Sequence, residues 1–529
     1  MESIAVTGIN RKGSLVQVYA DTARAVRATI LLLVGLLVSA CGGGGGSSSS
    51  ADDWQAGVFP PSAEFRDSCA ASSQEFNPLT SSFSGDLSGS TNAENQFLRS
   101  YSNETYLWYD EIIDRDPRLF GDPLDYFELL KTTAITPSGQ PKDKFHFTVP
   151  TDEWLQLSQS GVSVGYGATF ATLSAVPPRE FVVAYTEPNS PATNKLVRGA
   201  RILGVDGVGI DDNTQSDIDT QNAGLFPATA GETHTFEIIG PGAAGQRTVT
   251  ITSANVESSP VQNVKVLPGN VGYLLFNDHI ATAEIALIDA VTQLAGITDL
   301  VLDLRYNSGG FLDIASQVAY MIAGPARTTG KTFEQLQFSD KHPSTNPITG
   351  APLTPTPFYA TAAGFSATPD QPLPTLNLAR VFVLTGPGTC SASESIINGL
   401  RGVNVEVIQI GSTSCGKPYG FYPTGNCGTT YFTIQFRGAN ALGFGDYSDG
   451  FSPQNTALNP GEPLPGCSVA DDFETPLGDP AEGRLAAALA YRANPGTCPA
   501  ASGRPLPGDL SAIDGVVRKS PWLSNRILR

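Results

Sequence analysis

Between residues 271 and 411 the sequence alternates short apolar runs with longer segments whose apolar residues recur at helical spacing. The apolar runs have the length of buried strands, and two of the longer segments have the period of amphipathic helices. This alternation predicts an α/β core with parallel strand pairing. The predicted strands are 271–276, 300–304, 381–384 and 405–411, and the predicted helices are 283–294 and 312–323.

Turns built of small residues follow two of these strands. Gly309-Gly310 lets the backbone turn sharply and expose N–H groups. Ser391 precedes a segment with helical spacing, so its hydroxyl is expected at a helix N-terminus, where free N–H groups face whatever the hydroxyl attacks. Each turn also has a plainer interpretation. A Gly-Gly pair is often only a tight turn, and a serine in this position is more often only a helix cap.

A β-rich module is predicted ahead of the core. Ser190-Pro191-Ala192, a short helix and the hairpin sequence of residues 199–207 resemble the signature of a PDZ domain, and the resemblance covers residues 157–255. It implies a module that takes an extended peptide as an added strand and holds the peptide carboxylate with loop N–H groups. The alternative is a module that only regulates or packs. By position, the predicted peptide-binding loop consists of Gly161, Val162, Ser163 and Val164.

Three further motifs make a resemblance to a peptidase family specific. They are DLRYNSGG at residues 303–310, CSASE at 390–394, and a Gly-Lys pair whose Lys417 lies 26 positions after Ser391. Their order and spacing resemble those of the C-terminal processing (tail-specific) peptidases, which are serine peptidases with a serine–lysine dyad and an embedded PDZ domain. The resemblance spans about residues 157–493 and implies a crotonase-like α/β peptidase core that acts on protein or peptide substrates.

The resemblance also implies the role of each residue. Ser391 would be the nucleophile and Lys417 the general base, and the oxyanion hole would use the N–H of Ala392 and that of either Gly309 or Gly310. A serine hydroxyl needs an adjacent base. A lysine can serve as that base if burial and its surroundings lower its pKa enough to make a neutral amine available.

One position departs from the family pattern. Members commonly carry a glutamine four residues after the lysine to orient it, whereas this chain has Phe421. Thr429, Thr430 and Gln435 are candidates for that role, and the sequence does not rank them. Two alternatives therefore stay open: a non-catalytic, peptide- or ligand-binding lipoprotein on the same fold, and an esterase that uses the same dyad.

Charge and histidine content exclude several classes of function. The net charge of −19 argues against non-specific binding to nucleic acid or to anionic lipid headgroups. The four histidines show no metal-ligand spacing with cysteine and no HExxH motif, so neither a metal site nor a cofactor is expected. Several acidic residues near the end of the core are expected to be solvated loop residues rather than a calcium site: Asp446, Asp449, Asp471 and Asp472.

The N-terminal segment predicts export. Arg24 and Arg27 precede an apolar run, 28–40, that is too short for an ordinary membrane span, and small residues then lead to Cys41. This arrangement resembles the bacterial lipobox and implies lipidation of Cys41. A plain signal peptide with an incidental cysteine is the alternative. The Gly/Ser run 42–50 is expected to be a flexible tether between a membrane and the folded part in the bacterial cell envelope, facing the periplasm or the cell surface.

An exported chain favours disulfides, and six cysteines remain after Cys41. The pairing Cys415–Cys427 is predicted because the two residues are close in sequence. The predicted domains are a signal peptide 1–41, a linker 42–65, an N-terminal helical domain 66–155, a PDZ-like domain 156–256, a peptidase core 257–495 and a tail 496–529.

Overall fold

The computed structural model describes residues 54–71, 85–457 and 461–498, together with the backbone of 76–77, 82–83, 516–518 and 526–528. The predicted signal segment, Cys41 and the Gly/Ser run lie outside these residues. Within them, no helix combines the length and apolarity needed to cross a membrane.

The helices and strands are as follows. The helices are α1 (Thr91–Thr105), α2 (Pro123–Glu128), α3 (Thr151–Ser160), α4 (Gln215–Leu225), α5 (Ala283–Gln293), α6 (Leu312–Ala323), α7 (Pro325–Thr328), α8 (Ala392–Gly402) and α9 (Gly483–Ala493), with 3₁₀ turns at Ser62–Glu64, Tyr109–Glu111 and Pro117–Leu119. The strands up to residue 267 are β1 (Ser68–Cys69), β2 (Phe76–Asn77), β3 (Ser82–Phe83), β4 (Leu87–Ser88), β5 (Phe147–Pro150), β6 (Val162–Gly165), β7 (Ala168–Ser174), β8 (Glu180–Thr186), β9 (Arg201–Val205), β10 (Val208–Gly209), β11 (Thr233–Ile239), β12 (Arg247–Thr252), β13 (Ala254–Glu257) and β14 (Val261–Leu267). The later strands are β15 (Val271–Phe276), β16 (Asp299–Asp303), β17 (Gly309–Phe311), β18 (Thr332–Gln337), β19 (Thr356–Pro357), β20 (Arg380–Thr385), β21 (Glu406–Gly411), β22 (Tyr419–Gly420), β23 (Thr424–Asn426), β24 (Thr429–Phe432), β25 (Phe436–Ala439), β26 (Phe451–Pro453), β27 (Glu462–Leu464), β28 (Gly466–Ser468), β29 (Val516–Arg518) and β30 (Arg526–Leu528).

A central sheet carries the core, with the strand order β14-β15-β16-β20-β21-β28. Apart from the antiparallel β14–β15 pair, neighbouring strands pair in parallel. Strands β15 and β16 are buried along their whole length, which suits their continuous apolar sequences and a sheet covered on both faces. Helices α5, α6 and α8 cover one face of the sheet, and α9 with strands β7 and β8 covers the other. The predicted α/β class with parallel pairing is confirmed.

A second sheet is antiparallel and has the order β12-β11-β9-β8-β7-β29, with β10 paired to β9. Its core consists of alternating inward side chains such as Phe170, Ile202 and Phe236, together with Leu225 at the end of α4. Strand β29 comes from near the end of the chain and lies at the β7 edge. The sheet is therefore built from residues 168–252 and a segment more than 250 positions away.

The residues before α3 pack into the core instead of lying apart from it. Strand β5 pairs with β24, and Cys69 is disulfide-bonded to Cys427. Tyr106 and Phe145 belong to one buried cluster with Phe421. Residues between α1 and β5 therefore contribute side chains to the same region as the predicted lysine turn.

The cysteine pairing differs from the prediction. The disulfides are Cys69–Cys427, Cys390–Cys415 and Cys467–Cys498, so the predicted pair Cys415–Cys427 is wrong. Cys415 follows β21 at the edge of the central sheet and meets the turn after β20. Cys427 lies at the turn of the β23–β24 hairpin, which extends toward β5 and the N-terminal residues. The predicted pair was wrong because the residues between Cys415 and Cys427 lead from one part of the fold to another, so closeness in sequence does not bring the two cysteines together.

Candidate active site

Three turns meet at one edge of the central sheet. Strands β16, β20 and β21 are neighbours and run in parallel. The loops that follow them carry Gly310, Ser391 and Lys417. Because the carboxyl ends of parallel strands lie at the same edge, these three loops leave the sheet side by side.

Ser391 has a strained backbone at the start of a helix. Its φ is 63° and its ψ is −121°, a conformation that non-glycine residues rarely adopt and that costs ~1–3 kcal/mol. The residue directly precedes α8 and is fully buried. Within the part of the chain that the structure describes, its Oγ has no hydrogen-bond partner. The turn thus holds an unengaged hydroxyl at a helix N-terminus, as predicted from its position after a buried strand.

Glu394 links the serine turn to the lysine turn. Its Oε2 accepts the N–H of Ser391 at 3.0 Å and that of Lys417 at 2.8 Å. Its Oε1 accepts the N–H of Gly416 at 2.9 Å and the hydroxyl of Ser414 at 2.5 Å. Burial raises the pKa of the Glu394 carboxyl, although these four hydrogen bonds act in the opposite direction. The positioning role of Glu394 was missed by the sequence analysis, although a glutamate three residues after a serine is a capping pattern.

The Lys417 amine lies among aromatic rings. Lys417 is fully buried, and its Nζ lies 4.2 Å from the ring centroid of Phe421 and 4.9 Å from that of Phe145. The ring that replaces the family's glutamine therefore contacts the amine face-on, in a cation–π arrangement. Gln435 bonds elsewhere, since its Oε1 accepts the N–H of Tyr422 at 2.7 Å.

A disulfide and an asparagine hold these turns together. Cys390, directly before Ser391, is bonded to Cys415, two residues before Lys417. The carbonyl of Asn307 accepts the N–H of Cys390 at 3.1 Å, which ties the loop after β16 to the serine turn. The three loops are thus joined by covalent and backbone contacts.

The two glycines after β16 have different environments. The N–H of Gly309 donates to Asn307 Oδ1 at 3.0 Å, so it is already used. The C=O of Gly309 and the N–H of Phe311 bond to His279, at 3.3 and 2.8 Å. Since successive residues of a strand alternate in direction, the N–H and C=O of Gly310 face the opposite edge. A Cβ at Gly310 would lie 2.4 Å from the His279 carbonyl oxygen, so only glycine fits.

The remaining oxyanion-hole candidate lies at the start of α8. Ala392 is the first residue of that helix, so its N–H has no partner inside the helix. It is fully buried beside Ser391. The N–H groups of Ala392 and Gly310 therefore remain the candidate donors to an oxyanion.

A buried ion network anchors the loop after β16. Arg305 bonds to Asp303 at 2.9 Å, to Asp471 at 2.7 Å and to Glu482 at 2.7 Å, and Arg198 from the second sheet also reaches Asp471 at 2.7 Å. The prediction that Asp471 is a solvated loop residue is wrong, because its side chain is only 1% exposed. Burial alone would raise the pKa of Asp471, but the neighbouring guanidinium groups hold it well below its ordinary value.

The predicted peptide-binding loop lies at a cavity of about 420 Å³. Val162, Ser163 and Val164 line this cavity and belong to β6, which pairs with β13. Gly161 ends α3 in a left-handed conformation, with φ 66°. The cavity also touches the first residues of β7, the end of α4, and Asp278, the neighbour of His279. It therefore reaches from the second sheet toward the loop that carries Gly310.

Comparisons with known proteins match parts of the chain to a peptidase family. Residues 270–420 match the model of peptidase family S41, and residues 93–145 match that of the peptidase S41 N-terminal domain. A crystal structure from Bacteroides fragilis, of a protein assigned to the S41 proteases, is 23% identical over 75% of this chain and 97% of its own, with a TM-score of 0.55.

A photosystem II D1 C-terminal processing protease is 18% identical over 75% of this chain and all of its own, with a TM-score of 0.41. No curated protein matches. The two matched segments are similar to peptidase S41 sequences, and the chain shares the fold of the Bacteroides fragilis protein.

Proposed function

We propose that the protein is a serine endopeptidase with Ser391 as nucleophile and Lys417 as general base. One observation carries this proposal: the strained turn that presents the Ser391 hydroxyl is joined by the Cys390–Cys415 disulfide to the loop of a fully buried lysine. Burial of a lysine disfavours its charged form, and a neutral amine is the form that a base needs.

The reaction would take place in two stages. Lys417 accepts the proton of the Ser391 hydroxyl while Oγ attacks the substrate carbonyl, and the N–H groups of Ala392 and Gly310 stabilise the oxyanion. Each such donor contributes ~3 kcal/mol to transition-state stabilisation. The lysine then returns its proton to the leaving amine, and water hydrolyses the acyl-enzyme with the same residue as base.

Substrate binding would use the second sheet. Its order of strands, the β7 edge and the adjoining α4 fit a PDZ-like module that takes an extended peptide as an added strand. Following the N-terminal sequence, the enzyme would be exported and lipid-anchored through Cys41, with the folded part facing the periplasm or the cell surface. Its substrates would be proteins or peptides that are bound through their C-terminal segments.

Loss of the nucleophile tests the activity. Purified Ser391→Ala protein should lose at least about 10³-fold in peptide hydrolysis, and it should not react with a serine-directed acylating probe. The matched control is Ser160→Ala, which removes an exposed hydroxyl at the end of α3 and should retain full activity. Hydrolysis that survives Ser391→Ala would overturn the proposal.

The second candidate is a non-catalytic binder on the same fold, and Phe421 in place of the usual glutamine is the observation that favours it. It predicts that wild-type protein binds peptides, is not labelled by the probe and hydrolyses neither peptides nor small esters. Ester hydrolysis without peptide hydrolysis would instead favour an esterase.

A further inference from the structure

Two segments from near the end of the chain pair with the surfaces assigned above to substrate. Strand β29 adds to the β7 edge of the second sheet in antiparallel orientation, with Val516 opposite Thr172 and Arg518 opposite Phe170. Strand β30 adds to β17 in parallel, with Gly310 opposite Ile527. Both are strand additions, which is the mode in which extended peptides bind to exposed sheet edges.

The β17–β30 register identifies the backbone groups that form hydrogen bonds between the two strands. Because Gly309 C=O and Phe311 N–H bond to His279, the N–H and C=O of Gly310 face β30. In this parallel register, the N–H of Gly310 donates to the carbonyl of Arg526, and the N–H of Leu528 donates to the carbonyl of Gly310. The donor proposed for the oxyanion therefore already has a carbonyl partner from this chain.

Strand β29 ends beside the cavity. It runs antiparallel to β7, so its Arg518 end is directed toward Ala168, which lines the cavity.

The charges of the tail and of the cavity lining also support binding of the tail. Residues 516–529 include four basic residues and no acidic residue, in a chain whose net charge is −19. The described lining of the cavity includes the carboxylates of Glu153, Glu187 and Asp278 and neither lysine nor arginine. An extended basic peptide therefore complements this groove.

We propose that the segment that carries β29 and β30 is an internal ligand, which binds through these two strands to the surfaces assigned to substrate, and that the substrates it displaces are extended peptides rich in basic residues. The proposal rests on the proposed function only where hydrolysis is the readout. Occupancy by the segment lowers the fraction of molecules that are open to substrate, so its removal raises apparent activity in proportion.

Truncation tests the inhibitory role. A chain that ends after Gly508 keeps Cys498 and should hydrolyse a basic peptide about tenfold faster at low substrate concentration, the gain expected if nine molecules in ten are closed. Equal rates for the truncated and full chains, with unchanged circular dichroism, would overturn the proposal.

A pair of proline variants tests the register in the full chain. Leu528→Pro removes the N–H that donates to Gly310 and should activate the enzyme. Ile527→Pro removes an N–H that faces away from β17 and serves as its matched control. Equal activation by both variants, or by neither, would contradict the register.

A binding experiment separates this inference from the peptidase proposal. A fluorescent peptide of residues 514–529 should bind the truncated Ser391→Ala protein, measured by anisotropy, and a version with its four basic residues changed to glutamate should bind at least about tenfold more weakly. If the peptide binds but truncated wild type hydrolyses no peptide, this inference is supported and the proposed peptidase activity is contradicted. Absence of binding, or equal binding of both peptides, would defeat the inference alone.

Discussion

Two clusters of buried charge lie near the carboxyl edge of the central sheet, and they are held in different ways. In the first, Arg305 pairs with Asp303, Asp471 and Glu482. In the second, the Glu394 carboxylate accepts hydrogen bonds from three N–H groups and one hydroxyl, and the Lys417 amine lies against two aromatic rings. In the first cluster, charged side chains form ion pairs with one another. The contacts described for the second cluster are hydrogen bonds from N–H and hydroxyl groups to a carboxylate, and contacts of an amine with aromatic rings.

This difference distinguishes charged groups that stabilise the fold from a group that can change its protonation state during a reaction. A buried ion pair resists any change in the protonation of its members, because loss of either charge leaves the other unpaired. A lysine that is to act as a base must gain and lose a proton in each turnover. The Arg305 cluster should therefore govern stability, and the Lys417 cluster should govern rate.

The largest effect is expected at the amine itself. Lys417→Met keeps the length and apolar packing of the side chain but removes the base, so kcat should fall by about 10²–10⁴-fold while the melting temperature stays equal or rises. Steady-state kinetics and thermal denaturation check both parts. Lys331→Met, at an exposed position, is the control. If Lys417→Met were inactive because it is unstable, the distinction between a cluster that governs stability and one that governs rate would be lost.

An effect on stability is expected in the Arg305 cluster. Asp471→Asn leaves Arg198 and Arg305 without their shared partner, so the free energy of unfolding at pH 7 should fall by about 3–5 kcal/mol. Because the folded state lowers the pKa of Asp471, its stabilisation is complete above the unfolded pKa of about 4 and is lost as pH falls below it.

The difference between wild type and Asp471→Asn should accordingly narrow below about pH 4. Denaturant titrations across pH measure this narrowing, with the exposed Asp289→Asn as control. A difference that does not depend on pH would show that the network acts through packing rather than charge.

The smallest effect is expected at the ring that replaces the glutamine. Phe421→Leu preserves an apolar contact but removes the π-face, which is worth about 0.5–2 kcal/mol to a nearby cation. We expect kcat/KM to fall by roughly 2- to 30-fold, the same free energy expressed as a rate. Phe147→Leu, which alters a ring that packs on Phe421 without a described Lys417 contact, should have less effect. Equal losses would assign the effect to packing.

Sequence patterns predicted the elements of the core because local periodicity encodes them. The predicted strand 271–276 and helix 312–323 match the observed β15 and α6 at both ends. The order of the motifs likewise predicted which loops carry Gly310, Ser391 and Lys417, because each motif of the family resemblance is a short contiguous stretch of sequence.

Contacts between remote residues escaped the sequence analysis. The pairing of Cys69 with Cys427, the burial of Asp471 between Arg198 and Arg305, and the added strands β29 and β30 each join segments far apart in the chain. No local period or spacing marks such a partner, so cysteines were paired by proximity and an acidic residue was assigned to solvent.

The Cys69–Cys427 disulfide encloses all three loops of the candidate site within one covalent ring of backbone. A single cut of the chain anywhere between these two cysteines consequently releases no fragment, because both pieces stay attached through the sulfur bridge. A molecule nicked in this way by a neighbouring protease would keep its mass under non-reducing electrophoresis and would separate into two bands only after treatment with a thiol.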